Sequence, residues 1–418
     1  MKVEIAIIGL GYVGLPLAIE FAKKYKVIGY DIDKKRVNEL KRGYDKTNEV
    51  NAVELNKLNL KFTHEPIKIK KCNYFIITVP TPVDKFNKPN LKSLKDASSL
   101  VGKFLKKNDI VIYESTVYPG CTEEDCVPLL EMNSKLKYNK DFYCGYSPER
   151  INPGDKVNTL TKIKKVTSGS TPEIGKLVDN LYSSIISAGT YLASSIKVAE
   201  ASKVIENAQR DINISFVNEL ALIFDKINID TKEVLDAAET KWNFLKYKPG
   251  LVGGHCISVD PYYLAYKAES LGYYPEVILS GRRVNSSIDR FVANKVVKLM
   301  IQKGIQIKGA RALIIGITFK ENCPDIRNTK VIGIYEELKE FGLIIDIYDP
   351  IANKEDVKKD LKIDMIDYPN ISYYDSIIFA VPHEIVLNEF KTELRKTEEK
   401  VIFDLKSVLD KDKSDARL

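Results

Sequence analysis

The 418-residue chain is 44% hydrophobic and carries 64 Lys and Arg against 57 Asp and Glu, a formal charge of +7. At about 150 residues per folding unit, that is length for roughly three units with real cores. The mild positive excess is spread over the whole chain, which excludes a dedicated nucleic-acid binder, and 22 Gly with 17 Pro and no persistent block of one charge exclude disorder.

The uncharged stretch from Ile5 to Ile19 is too short to span a bilayer, holds Gly9, Gly11, Gly14 and Pro16, and has no charged lead-in with a small-residue cleavage site. It reads as part of the fold, and no membrane association is expected. Six cysteines without a Cys-x-x-Cys pair, and only three histidines, give neither a disulfide framework nor a metal site. A reducing cytoplasm is the expected location.

Glu4–Ile8 is a short apolar strand, Leu15–Lys24 has helical spacing, and Lys26–Tyr30 is again β-prone. Tyr74–Val79 is a buried-type strand halted by Pro80 and Pro82, and Asp109–Tyr113 is another. Strands separated by helices pair in parallel through right-handed crossovers, which predicts a doubly wound sheet.

From Thr190 to Lys248 there is neither Gly nor Pro, and Ile196, Ala199, Val204, Ala208, Ile212, Phe216 and Leu220 recur at three- and four-residue spacing. This predicts one helix from Ser195 to Asn228, ~50 Å long at 1.5 Å per residue. A spine of that length with exposed apolar surface suggests a homodimer; the alternative is a monomer whose end domains cover it. After the spine the first order returns. Arg311–Gly316 echoes Ile5–Gly9, Asp346–Asp349 echoes Ile28–Asp31, Ile377–Pro382 echoes Phe75–Pro80, and Val401–Asp404 echoes Val111–Glu114. The expected architecture is α/β, with two Rossmann-like doubly wound parallel-sheet domains joined by a long central helix.

Gly9, Gly11 and Gly14 follow the first strand and open the first helix, and the second strand runs into Asp31. Gly9 permits the tight turn, Gly11 lets the backbone approach a pyrophosphate, and Gly14 lets helix and strand pack closely. Asp31 can accept hydrogen bonds from a ribose and repels a 2′-phosphate, so the expected cofactor is NAD rather than NADP. The second sheet lacks these glycines but has Lys320 at the same end, so it either holds a nucleotide-linked substrate or is purely structural.

Lys203 and Asn207 share one face of the spine, with Arg210 and Asp211 in the next turn. They either meet something polar or rotate into solvent. In the loop from Pro249 to Pro261, Gly253 and Gly254 precede Cys256, a pair that allows close backbone approach to a ligand and leaves the sulfur uncrowded. Asp260 stands one helical turn beyond the thiol if a helix starts there. A thiolate beside a lysine is a nucleophile, although an isolated cysteine is more often inert packing. His255 is read as structural.

Taken together, these stretches resemble the UDP-glucose/GDP-mannose dehydrogenase family, in particular its branch acting on UDP-N-acetylhexosamines for surface polysaccharides such as capsule or O-antigen. The resemblance runs through Gly9–Gly14, Val79–Pro82, Glu114–Val117, Tyr146–Arg150, Ser202–Asn207, Gly253–Cys256 and Phe319–Arg327. It implies an NAD-binding domain over 1–194, a central dimerisation domain with the thiol loop over 195–300, and a UDP-sugar domain over 301–418.

It also implies a four-electron oxidation at the sugar C6 through a Cys256 thiohemiacetal and thioester. Lys203 and Asn207 would stabilise oxyanions, and Thr116, Glu149 and Asp260 would orient or activate water. Gly9, Gly11, Tyr12, Val13, Gly14, Asp31, Arg36, Thr81, Thr116 and Arg327 match cofactor-contacting positions. Glu149, Arg150, Lys203, Asn207, Arg210, Gly250, Phe319 and Lys320 match substrate-contacting ones. Arg282 or Arg283 is a further candidate to reach the substrate.

Overall fold

The computed structural model describes residues 2–47, 49–50, 55, 60–151, 157–254, 257–391 and 394–418. The chain divides into two compact units, Met1–Glu206 with Tyr262–Tyr274, and Asn207–Pro261 with Pro275–Leu418. Among the described residues no helix is long and apolar enough to cross a membrane.

The first unit is built on an eight-stranded sheet. In chain order its first half reads β1 (Glu4–Ile8), α1 (Gly14–Ala22), β2 (Lys26–Tyr30), α2 (Lys34–Lys41), β3 (Leu60–Thr63) and β4 (Tyr74–Ile77). Its second half reads α3 (Lys92–Gly102), β5 (Ile110–Tyr113), α4 (Val127–Ser134), β6 (Tyr143–Tyr146), β7 (Lys165–Gly169), α5 (Pro172–Ser183) and β8 (Thr190–Leu192). The spatial order is β3-β2-β1-β4-β5-β6-β7-β8. Its first six strands follow the dinucleotide-binding order, with the ligand crevice at the carboxyl ends of the neighbouring strands β1 and β4.

Ile5, Ile7, Leu17, Phe21 and Ile76 are fully buried in one core beneath that crevice. One departure from the expected all-parallel sheet is that β6 and β7 pair antiparallel. A parallel return needs a crossover helix. The described residues between these two strands hold only the three-residue turn Leu160–Lys162.

The predicted spine is α6, Ile196–Lys226, unbroken for 31 residues. It begins in the first unit and ends in the second. In the second unit follow α7 (Thr231–Ala238), α9 (Glu276–Asn285) and α10 (Ile288–Gln302), while α8 (Asp260–Ser270) lies almost wholly in the first. The five-stranded sheet has the spatial order β10-β9-β11-β12-β13, all pairs parallel. Its strands are β9 (Arg311–Ile315), β10 (Ile344–Tyr348), β11 (Ser376–Phe379), β12 (Val401–Asp404) and β13 (Ala416–Arg417), interleaved with α11 (Val331–Glu340) and α12 (Glu384–Phe390).

Both faces of this sheet are covered. Ala312 and Ile314 of β9 join the core containing Val292 and Val296 of α10. Leu313 and Ile315 join the opposite core with Phe379 and Phe390. That two-sided burial is why the strand reads as a continuous apolar run instead of alternating.

Candidate active site

In the first unit the Gly-rich loop leaves β1 with Gly9 at φ +98°, its N–H donating to the Tyr30 carbonyl at 2.8 Å. A Cβ on Gly14 would lie 1.9 Å from the Gly9 carbonyl oxygen, whereas one on Gly11 would meet no protein atom within 4 Å. Protein packing therefore demands glycine at 9 and 14. At 11 the open space suits a ligand at the amino end of α1, beside Tyr12 and Val13, and this cradle fits the diphosphate of NAD.

Asp31 accepts from Leu10 N–H at 2.8 Å through Oδ2 and from Asp33 N–H at 2.9 Å through Oδ1. Arg36, expected at the cofactor, is buried beneath the loop. Its Nε donates to the Leu10 carbonyl at 2.9 Å and its guanidinium pairs with Asp45 at 2.7 Å. Asp31 and Arg36 thus hold the two polar backbone groups of one loop residue. The loop after β4 is fixed similarly, since Thr81 Oγ1 donates to the Thr116 carbonyl at 2.7 Å and Tyr263 Oη donates to the Thr81 carbonyl at 2.9 Å.

Glu149 sits after β6 with both carboxylate oxygens engaged. Oε1 accepts from Arg150 N–H at 2.6 Å and Ile151 N–H at 2.5 Å, and Oε2 accepts from Lys165 at 3.3 Å. Lys165 also donates to Glu114 at 2.8 Å, and Tyr182 donates to the other Glu114 oxygen. Burial pushes the Glu114 carboxyl up to about 7 against the attraction of Lys165. The Arg150 guanidinium is anchored to Glu206 at 2.8 Å and to the Lys164 carbonyl at 2.8 Å.

On α6, Lys203 and Asn207 are both buried and Arg210 is exposed. Asn207 Nδ2 donates to Asp260 Oδ2 at 2.6 Å, so two predicted site residues meet across 53 positions of sequence. Asp260 opens α8.

In the second unit, Asn218 clamps Gly250. Gly250 N–H donates to Asn218 Oδ1 at 2.8 Å and Asn218 Nδ2 donates to the Gly250 carbonyl at 3.1 Å. Of the two arginines expected as candidates, Arg282 is buried and its guanidinium pairs with Asp211 at 2.6 Å, bracing α9 on α6, whereas Arg283 is exposed. The Cβ positions of the glycine pair before the thiol are taken by protein. A Cβ on Gly253 would fall 2.6 Å from the Asn328 carbonyl oxygen, and one on Gly254, at φ +84°, would fall 2.9 Å from the Phe319 ring.

Gly253 and Gly254 therefore pack on the loop carrying Phe319 and Lys320, whose ammonium lies 5.4 Å from the Phe319 ring centroid. Arg327 pairs with Asp325, Nε to Oδ1 at 2.9 Å. His255 and Cys256 lie outside the described residues. Lys165, Glu114, Asn218 and Tyr263 were not among the residues expected to have a role at the site. For Asn218 a signal existed, because a polar residue three turns beyond Asn207 falls on the same helix face.

Models of the three parts of one family match successive stretches of the chain. The NAD binding domain of the UDP-glucose/GDP-mannose dehydrogenase family matches residues 3–186, its central domain 197–287 and its UDP binding domain 313–411. The chain belongs to the UDP-glucose/GDP-mannose dehydrogenase family. It is an NAD-dependent nucleotide-sugar dehydrogenase, and the glycine cradle lies within the stretch matched by the NAD binding domain.

Among relatives of this dehydrogenase, a UDP-N-acetyl-D-glucosamine 6-dehydrogenase of Pseudomonas aeruginosa is 56% identical, covering 99% of each chain. Another of that name from Salmonella typhi is 55% identical, covering 100% of this chain and 99% of its own. Among solved structures, a UDP-D-ManNAc dehydrogenase from Pyrococcus horikoshii matches with a TM-score of 0.89 at 28% identity, covering 99% of this chain and 98% of its own.

Proposed function

We propose that this dehydrogenase oxidises the C6 hydroxymethyl group of UDP-N-acetyl-D-glucosamine to the carboxylate, supplying a uronic acid precursor for a surface polysaccharide in the cytoplasm. The observation that carries the sugar is the full-length identity of 55–56% to the two glucosamine enzymes, against 28% to the mannosamine enzyme. We assign the cofactor to residues 1–194, the spine and thiol loop to 195–300, and the UDP-sugar to 301–418.

Bound NAD supplies the hydride acceptor for both oxidations, two equivalents per sugar. Cys256 adds its sulfur to the C6 aldehyde carbon, because a free aldehyde is a poor hydride donor and a tetrahedral thiohemiacetal a good one. Lys203 and Asn207 donate to the sugar oxygen as it becomes anionic; loss of one such donor commonly costs ~10²–10³ in rate. Thr116, Glu149 and Asp260 orient the water that cleaves the thioester and releases the acid. Asp260 accepts from Asn207 at 2.6 Å, which ties a water-orienting carboxylate to an oxyanion donor. Arg150, Arg210, Gly250, Phe319 and Lys320 hold the UDP-sugar.

A homodimer is part of this reading. Val198, Ile205, Phe216 and Ile223 of α6 are all exposed, and their spacing sets them along one helix face.

The test is product stoichiometry with UDP-N-acetylglucosamine and its galacto- and manno- epimers. Two NADH per glucosamine substrate, with the epimers slower, is expected; one NADH per sugar refutes the thioester route, and preference for an epimer refutes the sugar. Cys256→Ser is expected to bind UDP-sugar but form no acid, and acid formation at the normal rate would remove Cys256 as nucleophile.

A further inference from the structure

The second sheet repeats the loop geometry of the first but closes it. Asp349 follows β10 as Asp31 follows β2, and like Asp31 it accepts from the loop after the neighbouring strand. Its Oδ2 takes Ile317 N–H at 2.7 Å and its Oδ1 takes Ile351 N–H at 2.8 Å and Ala352 N–H at 2.9 Å. Oδ2 is further engaged by Nε2 of His383 at 3.0 Å, a pair with no side-chain exposure on either partner. A carboxylate so occupied has no lone pair left for a ribose, so this unit recognises its nucleotide by another part of the loop.

The imidazole responsible is placed to set that part. His383 Nδ1 accepts from Asn322 N–H at 2.9 Å. An accepting Nδ1 carries no proton, so the ring proton is on Nε2, aimed at Asp349 and lying 3.3 Å from Thr318 Oγ1. Thr318 Oγ1 in turn donates to the Lys320 carbonyl at 3.0 Å. Asn322 holds a left-handed φ of +54°, and its Oδ1 accepts from Glu384 N–H at 3.0 Å, a second bond to the segment containing His383. One ring therefore pins both ends of the five-residue segment from Thr318 to Asn322, in which Phe319 and Lys320 sit.

We propose that His383 is a positioning residue for the UDP-sugar, acting without touching it by holding the Thr318–Asn322 segment in the shape that presents Phe319 and Lys320. This rests on the reading that Phe319 and Lys320 hold the nucleotide-sugar. A packing histidine with no such role would affect the stability of the unit and nothing else.

The experiment measures UDP binding by calorimetry and steady-state constants for His383→Leu, His383→Gln and Lys320→Ala in the full-length enzyme. For His383→Leu, weaker UDP binding and a KM for UDP-sugar raised roughly tenfold or more are expected, with kcat and the KM for NAD within about twofold. His383→Gln, which keeps one donor and one acceptor, is expected to recover part of the loss. Adding Lys320→Ala to His383→Leu is expected to cost less than the two single losses combined, because both act through one contact.

Unchanged UDP binding in His383→Leu overturns the inference, as does an equal loss for UDP and NAD. If His383→Leu does not fold, Thr318→Val removes the hydroxyl that meets His383 Nε2 and donates to the Lys320 carbonyl; unchanged UDP binding there overturns the inference as well. Unchanged UDP binding in Lys320→Ala counts instead against the site reading on which the inference rests.

Discussion

Replacing Gly11 and Gly14 by alanine, one at a time, separates what the fold needs from what the cofactor needs. At Gly14 the new Cβ would stand 1.9 Å from the Gly9 carbonyl oxygen and 2.4 Å from Thr78 Oγ1, so the loop must shift. Overpacking of this kind costs ~1–3 kcal/mol. At ~2–4 °C per kcal/mol for a unit of this size, the thermal midpoint falls by roughly 2–12 °C.

At Gly11 the Cβ meets no protein atom within 4 Å. The apo protein is expected to keep its midpoint or gain slightly, since alanine restricts the unfolded chain by ~0.4–1 kcal/mol. On the proposed cofactor placement the added methyl would occupy the approach of the diphosphate, and a tenfold rise in the KM for NAD corresponds to a loss of ~1.4 kcal/mol. The assays are thermal unfolding with and without NAD and the NAD dependence of NADH formation. The reasoning is refuted if Gly11→Ala binds NAD as the parent does, or if without NAD it is destabilised as much as Gly14→Ala.

Asp45→Asn leaves the buried Arg36 guanidinium without its carboxylate, and a loss of ~3–5 kcal/mol in denaturant unfolding is expected. Hydrogen bonds from Thr47 and Arg36 hold the Asp45 carboxyl below its ordinary range despite burial. Its stabilisation is therefore present above that range and lost as pH falls through the folded value, an acid limb that Asp45→Asn should remove. Glu114 runs the other way. Raised from 4.5 to about 7, it holds its proton more tightly in the folded state, so its contribution declines as pH rises across that window. Unfolding midpoints of Glu114→Gln should lose that decline, and an identical pH profile would contradict the assignment. Finally, the proposed dimer predicts that Phe216→Glu with Ile223→Glu shifts the sedimenting species from dimer to monomer while leaving the helical signal intact; a monomeric parent refutes the dimer, and a dimeric variant moves the interface off this face.

Much of the site's frame was legible locally. β1, β2 and β12 begin and end where their β-branched runs meet Gly, Asp or a turn, and α6 matches its predicted span because nothing in it interrupts a 3.6-residue period. The glycine cradle is equally local, because its requirement is set by turn geometry. The strands β3, β7 and β8 escaped notice. Their sequences, LKFT, KVTSG and TYL, are short and only partly apolar, and they are strands because a sheet edge is there to pair with.

Chain order, period and turn chemistry determine on their own two nucleotide-type sheets, a spine between them, and a thiol after a glycine pair. The tertiary structure alone decided which polar side chains those elements lock together. His383 reaches Asn322 across 61 positions, Lys165 reaches Glu114 across 51, and Asn218 reaches Gly250 across 32. No local pattern encodes such pairs. A polar group taken out of water must find a partner, and which partner it finds depends on the elements that packing brings beside it.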